Sequence, residues 1–223
     1  MPASAERLPP GALERLAMTS SGFCLRPVLE VARDLLGRLL VHDSPAGRSG
    51  VRIVEVEAYS GAGGDPGSHA HRGQTARNAV MFGPPGHLYV YFSYGMHWCA
   101  NVVCAPEGAA DAVLLRAGEP VLGHELLAAR RPGASERDLA RGPARLAGAL
   151  GLDRAADGAD LETGPVWLAQ GWPVPDSEVA WSPRIGLSRA AGLPWRAYVT
   201  TSRSVSPGRP GVPPKARSRP ASS

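Results

Sequence analysis

The sequence predicts an α+β fold: a single domain with a curved, mostly antiparallel β-sheet core, flanking helices and a protruding β-hairpin. Three observations point there. Strand-like segments precede and follow the helical ones without β-α-β alternation. The strand-like segments alternate apolar and polar residues, as half-buried sheets do. No internal repeat or domain-splitting linker interrupts the patterned region. The chain has 223 residues, 43% of them hydrophobic, which suffices for one domain with a sizeable core.

The elements follow in order. Residues 1–21 read as a loose leader containing Pro9-Pro10. Pro27 precedes a helix whose apolar residues Val28, Val31, Leu35, Leu36 and Leu39 fit one face. From Val51 to Tyr59 a strand is expected, with Val54, Val56 and Ala58 on one side and Glu55, Glu57 and Tyr59 on a polar working face. Ser60 to Gln74 is a Gly-, Ser-, Asp- and His-rich loop, and Pro84-Pro85-Gly86 marks a turn. Leu88, Val90 and Phe92 alternate with Tyr89, Tyr91 and Ser93, giving a strand with an aromatic face. Tyr94-Gly95 makes a hairpin tip, and Met96 to Cys104 the returning strand. Ala112 to Ala117 is a further strand. Helices are expected at Val121 to Arg130 and Ser135 to Leu150, the second broken at Gly142-Pro143. Short strands follow at Val166–Leu168, Arg184–Leu187 and Ala197–Thr200. The domain is expected to span 22–202, with 203–223 a disordered basic tail.

Composition narrows the function classes. No apolar run approaches a membrane span, and the first residues lack the layout of a signal peptide, so a cytoplasmic protein without membrane contact is expected. Cys24, Cys99 and Cys104 have no C-x-x-C spacing, which argues against a disulfide framework or a structural zinc site. The formal net charge is +4, but from Arg203 onward there are five basic residues and no acidic one. The remainder holds 19 basic against 20 acidic residues, so a nucleic-acid face must be a local arginine patch. The tail reads as a solvated end that could add phosphate affinity. The chain's one lysine is Lys215, in that tail. A body without lysine has no buried side-chain amine for a Schiff base. Water is the remaining simple nucleophile, unless the N-terminal amine serves.

The chemistry concentrates between Val54 and Asn101. Carboxylates do general-base work, and aromatic faces hold flat ligands such as nucleobases; together they suggest hydrolysis at a base. Two neighbouring carboxylates, Glu55 and Glu57, repel unless one is protonated or a cation lies between them. Read bare, Glu57 could equally be a salt-bridge residue, His69 a solvated loop side chain and Tyr89 a core residue. Two rival functions remain open on the residues alone. Glu55, Glu57, Asp65 and His69 have the right donor types for a divalent metal, although no clustered ligand spacing supports one. A catalytically silent module using the aromatics as stacking platforms is the other. A helix-hairpin-helix glycosylase would rest on Ala140 to Leu150 alone, and its loop glycines are not arranged for it.

Several blocks carry a resemblance. Ala32-Arg33-Asp34-Leu35-Leu36-Gly37, Glu57-Ala58-Tyr59, Ser68-His69-Ala70, Arg77-Asn78, Met81-Phe82, Gly86-His87-Leu88-Tyr89-Val90-Tyr91 and Tyr94-Gly95-Met96 are similar to signature blocks of the alkyladenine (3-methyladenine, methylpurine) DNA glycosylase family. Leu114-Leu115-Arg116-Ala117, Glu119-Pro120, Arg141-Gly142-Pro143 and Pro183-Arg184-Ile185-Gly186 continue it, from roughly Leu29 to Thr200. The resemblance implies a monofunctional glycosylase acting on damaged purines in double-stranded DNA, as a monomer, with no cofactor and no metal. It implies Glu57 as general base, with Arg116 beside the attacking water. Tyr59, His69 and Tyr91 would wall the flipped base, Asn101 would select at its edge, and Tyr94 would wedge into the duplex. Arg77, Asn78 and Arg145 would contact the DNA backbone, and a carbonyl near Ile185 to Leu187 would complete the water site. The chain departs from the family pattern at Gln74, where a basic residue is common, and at Pro106-Glu107-Gly108, a small insertion.

Overall fold

The computed structural model describes residues 13–14, 22–61, 63–93 and 95–208. Helix α1 (Val28–Leu35) begins after Pro27 and buries Val28, Val31, Ala32 and Leu35, one apolar stripe at helical spacing. It is shorter than its pattern suggests. Gly37 lies at φ +86°, and a Cβ there would fall 2.0 Å from the Trp172 carbonyl oxygen. The Gly37 N–H donates to the Ile53 carbonyl at 2.8 Å. The chain is thereby drawn into the sheet, and Leu39 opens a strand instead of ending a helix.

Among the described residues eight strands follow: β1 (Leu39–Ser44), β2 (Gly47–Tyr59), β3 (Leu88–Ser93), β4 (His97–Cys104), β5 (Asp111–Leu122), β6 (Val166–Ala169), β7 (Val179–Ser182) and β8 (Arg196–Val199). They form one curled sheet in the order β3-β4-β5-β2-β1-β6, with β8 also paired to β2 and β7 to β8. Every pairing is antiparallel. Strand β2 changes partner along one edge, from β1 over residues 47–52 to β8 over residues 55–57. Its register against β5 is irregular around Glu55. Such bulges bend a strand and re-aim its side chains. The β3–β4 hairpin ends in exposed Phe92 and Met96.

Two more helices, α2 (His124–Arg130) and α3 (Pro143–Leu150), complete the layer on one face of the sheet. Leu127, Leu146, Ala147 and Leu150 join Val56, Ala58, Leu88, Val90, Val113 and Leu115 in the main core. The alternate residues of the same strands look the other way, where Tyr89, Ala112 and Val103 form a second, smaller cluster with Ala70 and Met81. No helix among the described residues is long and apolar enough to cross a membrane.

The structure corrects several expectations. Val54 to Ala58 are buried on both sides, not half-buried, because β2 lies mid-sheet and its polar face is covered by loops. Val121 belongs to β5, so α2 starts later than expected. Ser135 to Leu150 splits into a single 3-10 turn (Glu136–Asp138) and α3. Gly142 at φ +121° precedes Pro143 in the first turn of α3. Arg184 to Leu187 is loop, and the strand falls earlier, at β7. The domain does not end at residue 202: Ser204 and Ser206 are buried, and the Arg141 guanidinium holds the Val205 carbonyl at 2.8 Å. Composition assigned these residues to the tail because nothing in Arg-Ser-Val-Ser-Pro marks a packed segment.

Candidate active site

Antiparallel register sets the site. Tyr89, Asn101, Leu114, Glu57 and Arg196 face one another across β3, β4, β5, β2 and β8. Directly opposed residues in such pairs project to the same side. Tyr91, Arg116 and Tyr59 stand two positions along their strands from members of this rung, so they share its face. The helix-backed core occupies the opposite face.

Glu55 and Glu57 are fully buried, and Arg116 lies between them. Its Nε donates to Glu55 Oε1 at 3.0 Å and its Nη1 to Glu57 Oε2 at 3.1 Å. The repulsion expected between the carboxylates is thus resolved by a shared cation. Glu55 also accepts from Arg196 Nε at 2.7 Å, from the Ser206 N–H at 2.6 Å and from Ser206 Oγ at 2.8 Å. Burial would raise the Glu55 carboxyl, but Arg116, Arg196 and the Ser206 N–H overcome it and hold it below the usual carboxylate range. Burial likewise opposes the charge on Arg116, and Glu57 and Glu55 more than restore it. Glu57 Oε1 accepts the Ile185 N–H at 2.7 Å, and Oε2 also accepts the Tyr59 hydroxyl at 2.9 Å. Burial and the nearby Glu57 push the Tyr59 phenol well above its ordinary value, so it stays a donor.

The aromatic residues gather as the sequence suggests. The His69 ring meets Tyr91 edge-on with centroids 4.5 Å apart, and Tyr89 stacks with Tyr91 at 5.4 Å. His69 Nδ1 lies 3.2 Å from the Tyr89 hydroxyl. Burial, with Arg77 nearby, lowers the His69 imidazole below its usual value, which keeps it neutral at pH 7. Asn101 is buried and donates to the Tyr89 carbonyl at 3.1 Å. Arg77 is exposed, donates to the Phe92 carbonyl at 3.0 Å and sits 5.7 Å from the Tyr91 centroid. Tyr94 lies outside the described residues.

Asn78 and Arg145 are the remaining described candidates. Asn78 is buried, and both N–H groups of its amide are engaged, by the His69 and Gly73 carbonyls at 2.9 and 3.1 Å. Its Oδ1 accepts from the Thr75 N–H and hydroxyl. The side chain has no donor left for a phosphate; it folds the loop that presents His69. Arg145 is exposed on the first turn of α3, 3.5 Å from Asp138 Oδ1. Because α3 backs the core, Arg145 is not brought to the Glu57 rung.

Sequence reasoning assigned no role to Ser206, Arg196 or Arg184, and expected a carbonyl rather than an N–H from the Ile185 region. Ser206 and Arg196 hold Glu55. The Ile185 N–H holds Glu57. Arg184 is fully buried, paired to Asp65 through both terminal nitrogens, and donates to the Ala58 carbonyl at 2.9 Å. Its guanidinium lies 4.5 Å over the Tyr59 ring and 5.3 Å from that of Trp195. A Pro-Arg-Ile-Gly block was visible, but a chain pattern cannot say which loop an arginine will reach. The oxygens a divalent cation would need are largely engaged with guanidinium groups: Glu55 with Arg116 and Arg196, Asp65 with Arg184. No group of three or more potential ligands converges among the described residues.

The methylpurine-DNA glycosylase (MPG) family model matches residues 22–203. The chain is 56% identical over 200 residues to a Streptomyces avermitilis protein, covering 87% of this chain and 93% of the relative. It is 53% identical over 200 residues to one from Leifsonia xyli subsp. xyli, covering 86% and 93%. A Chlorobaculum tepidum protein is 48% identical over 198 residues, covering 88% and 94%. All three carry the provisional name 3-methyladenine DNA glycosylase. On this match and these identities, the chain belongs to the methylpurine-DNA glycosylase family.

Proposed function

We propose that this protein is a monofunctional glycosylase that flips alkylated or deaminated purines from duplex DNA and hydrolyses the N-glycosidic bond with activated water. The observation that carries this reading is the Glu57 carboxylate, fixed from three directions by the Ile185 N–H, the Tyr59 hydroxyl and Arg116. Glu57 Oε1, with the Ile185 N–H on it, has a second lone pair for a water. In the proposed step Glu57 takes a proton from that water, its oxygen bonds to C1′, and the C1′–N bond breaks with its electrons leaving on the purine. Negative charge at Glu57 also favours the oxocarbenium character developing at C1′. Arg116 supplies the counter-charge beside Glu57 in a buried site.

Tyr59, His69 and Tyr91 supply flat walls that offset the unstacking of an extruded base. A neutral His69 suits that role, since it adds no charge against a cationic alkylpurine. The Asn101 amide would meet the exocyclic 2-amino group of normal guanine. Arg77 is well placed by its exposure for a phosphate, Arg145 would reach the backbone from α3, and Asn78 acts by fixing the His69 loop. The protein would work as a monomer in the cytoplasm, on the nucleoid, without a cofactor. Tyr94 would fill the gap left by the base. Tyr94→Ala should then weaken binding to a lesion-bearing duplex by about 1–3 kcal/mol, the scale of one base–aromatic stack. Equal affinity of variant and parent for an abasic-analogue duplex would count against the wedge.

Base release from a panel of defined duplexes carrying 3-methyladenine, 7-methylguanine, hypoxanthine or ethenoadenine tests the reading directly. Free base and an intact, alkali-labile strand are the expected products, with activity unchanged in a chelator. Because the body has no lysine, borohydride added during turnover should trap no covalent adduct. A trapped complex that survives Lys215→Arg and maps to the N-terminus would overturn the water mechanism.

A further inference from the structure

The carboxylate of Glu55 makes more hydrogen bonds than that of Glu57, yet the reaction assigns it no step. Three of its partners, Arg116 and both donors of Ser206, form a closed set. Ser206 donates through its N–H and its hydroxyl to Glu55, and Arg116 Nη2 lies 3.3 Å from Ser206 Oγ. Arg116 then bonds Glu55 with Nε and Glu57 with Nη1. The Ser206 side chain therefore touches both the guanidinium and Glu55, one of the two carboxylates that fix it. All of these residues are buried.

We propose that Ser206 is a positioning residue for the reaction, acting through Glu55 and Arg116 to keep Glu57 correctly aimed. The inference rests on Glu57 being the general base. A planar guanidinium needs at least two fixed contacts to define its plane. The Glu55 bond at Nε and the Ser206 contact at Nη2 give that plane, and Nη1 is left directed at Glu57. Without the hydroxyl, Arg116 can pivot about its Nε bond and Nη1 drifts from Glu57. Small misplacements of this kind cost rate more than affinity.

The test is single-turnover release of base from dimethyl-sulfate-methylated duplex DNA, with enzyme saturating, alongside lesion binding. Ser206→Ala should lower the rate about fivefold to tenfold, the size of a lost hydrogen bond plus misaligned geometry, with lesion binding within about twofold. Ser206→Thr keeps a hydroxyl and should restore the rate. A Ser206→Ala variant with the parent's rate overturns the inference. So does a loss that Ser206→Thr fails to rescue while melting temperature is unchanged. Glu57→Gln run alongside separates the two readings. If that variant remains active, the general-base assignment has failed; if it is inactive and Ser206→Ala is normal, only this inference has.

Discussion

Glu57→Gln is expected to remove nearly all base excision while leaving lesion binding within a few-fold. The amide keeps the shape of the carboxylate, so the fold has little reason to change. It cannot take a proton from water, and it offers no full negative charge to an oxocarbenium-like centre. General-base catalysis contributes about two to four powers of ten, and lost electrostatic stabilisation adds roughly two more. The amide has a single acceptor oxygen, so either the Ile185 N–H on one side or Arg116 and the Tyr59 hydroxyl on the other keep a neutral acceptor, and the remaining side faces an N–H donor. Glu55→Gln is the informative neighbour. It sits on the same strand beside the same arginine but has no water to activate, so its loss should be milder. Turnover at the parent's rate in Glu57→Gln would sink the assignment, as would equal losses in both variants.

What the chain made legible, and what it did not, follows from how local each feature is. Tyr89, Tyr91, Leu88 and Val90 announced β3 because alternation is a property of adjacent residues. Glu57 and Tyr59 announced a polar face for the same reason, and the resemblance gave that face a use. The number of layers covering the face was invisible. Nothing in Val54 to Ala58 says that both sides of β2 will be buried, since that depends on loops from residues 184 and 206. Helix α1 ran long in the pattern because Leu36 and Leu39 satisfy a helical period and a strand equally well. The Trp172 carbonyl beside Gly37, more than a hundred residues away, decides between them. Ser206 was hidden by composition: a buried serine in an Arg-Pro-Ser stretch looks like its solvated neighbours.

The same limit applies to charge. Three arginines are counter-ions inside the domain: Arg116, Arg184 and Arg196, each no more than 6% exposed. They meet Glu55, Glu57 and Asp65 there, so a count of arginines along the chain overstates what is available to DNA. The exposed Arg77 and Arg145 remain available, whereas the guanidinium groups nearest Glu57 are already engaged.

Asp65→Asn should cost the most stability of any single conservative change outside the Glu57 group. Asp65 and Arg184 are both fully buried, and both carboxylate oxygens face the guanidinium. Neutralising one partner leaves a buried cation, at a cost of about 3–5 kcal/mol. For a domain of this size that is roughly 6–20 °C in melting temperature. The loss should carry function with it. Asp65 anchors the loop that presents His69, while Arg184 packs on Tyr59 and precedes Ile185, whose N–H holds Glu57. The pH dependence has a definite sign. Burial would raise the Asp65 carboxyl, but Arg184 and the Gly67 N–H hold it below the usual carboxylate range. Its contribution is therefore complete above the unfolded value and disappears as pH falls through the lower folded one. Parent protein should lose stability over that acid window, and Asp65→Asn should show a flatter curve there. Asp176→Asn is the control, because the carboxylate that meets Arg33 is 93% exposed and such surface pairs are worth about 1 kcal/mol or less. Melting curves for Asp65→Asn and Asp176→Asn that coincide from pH 3 to 7 would show that the buried pair does not hold the site together.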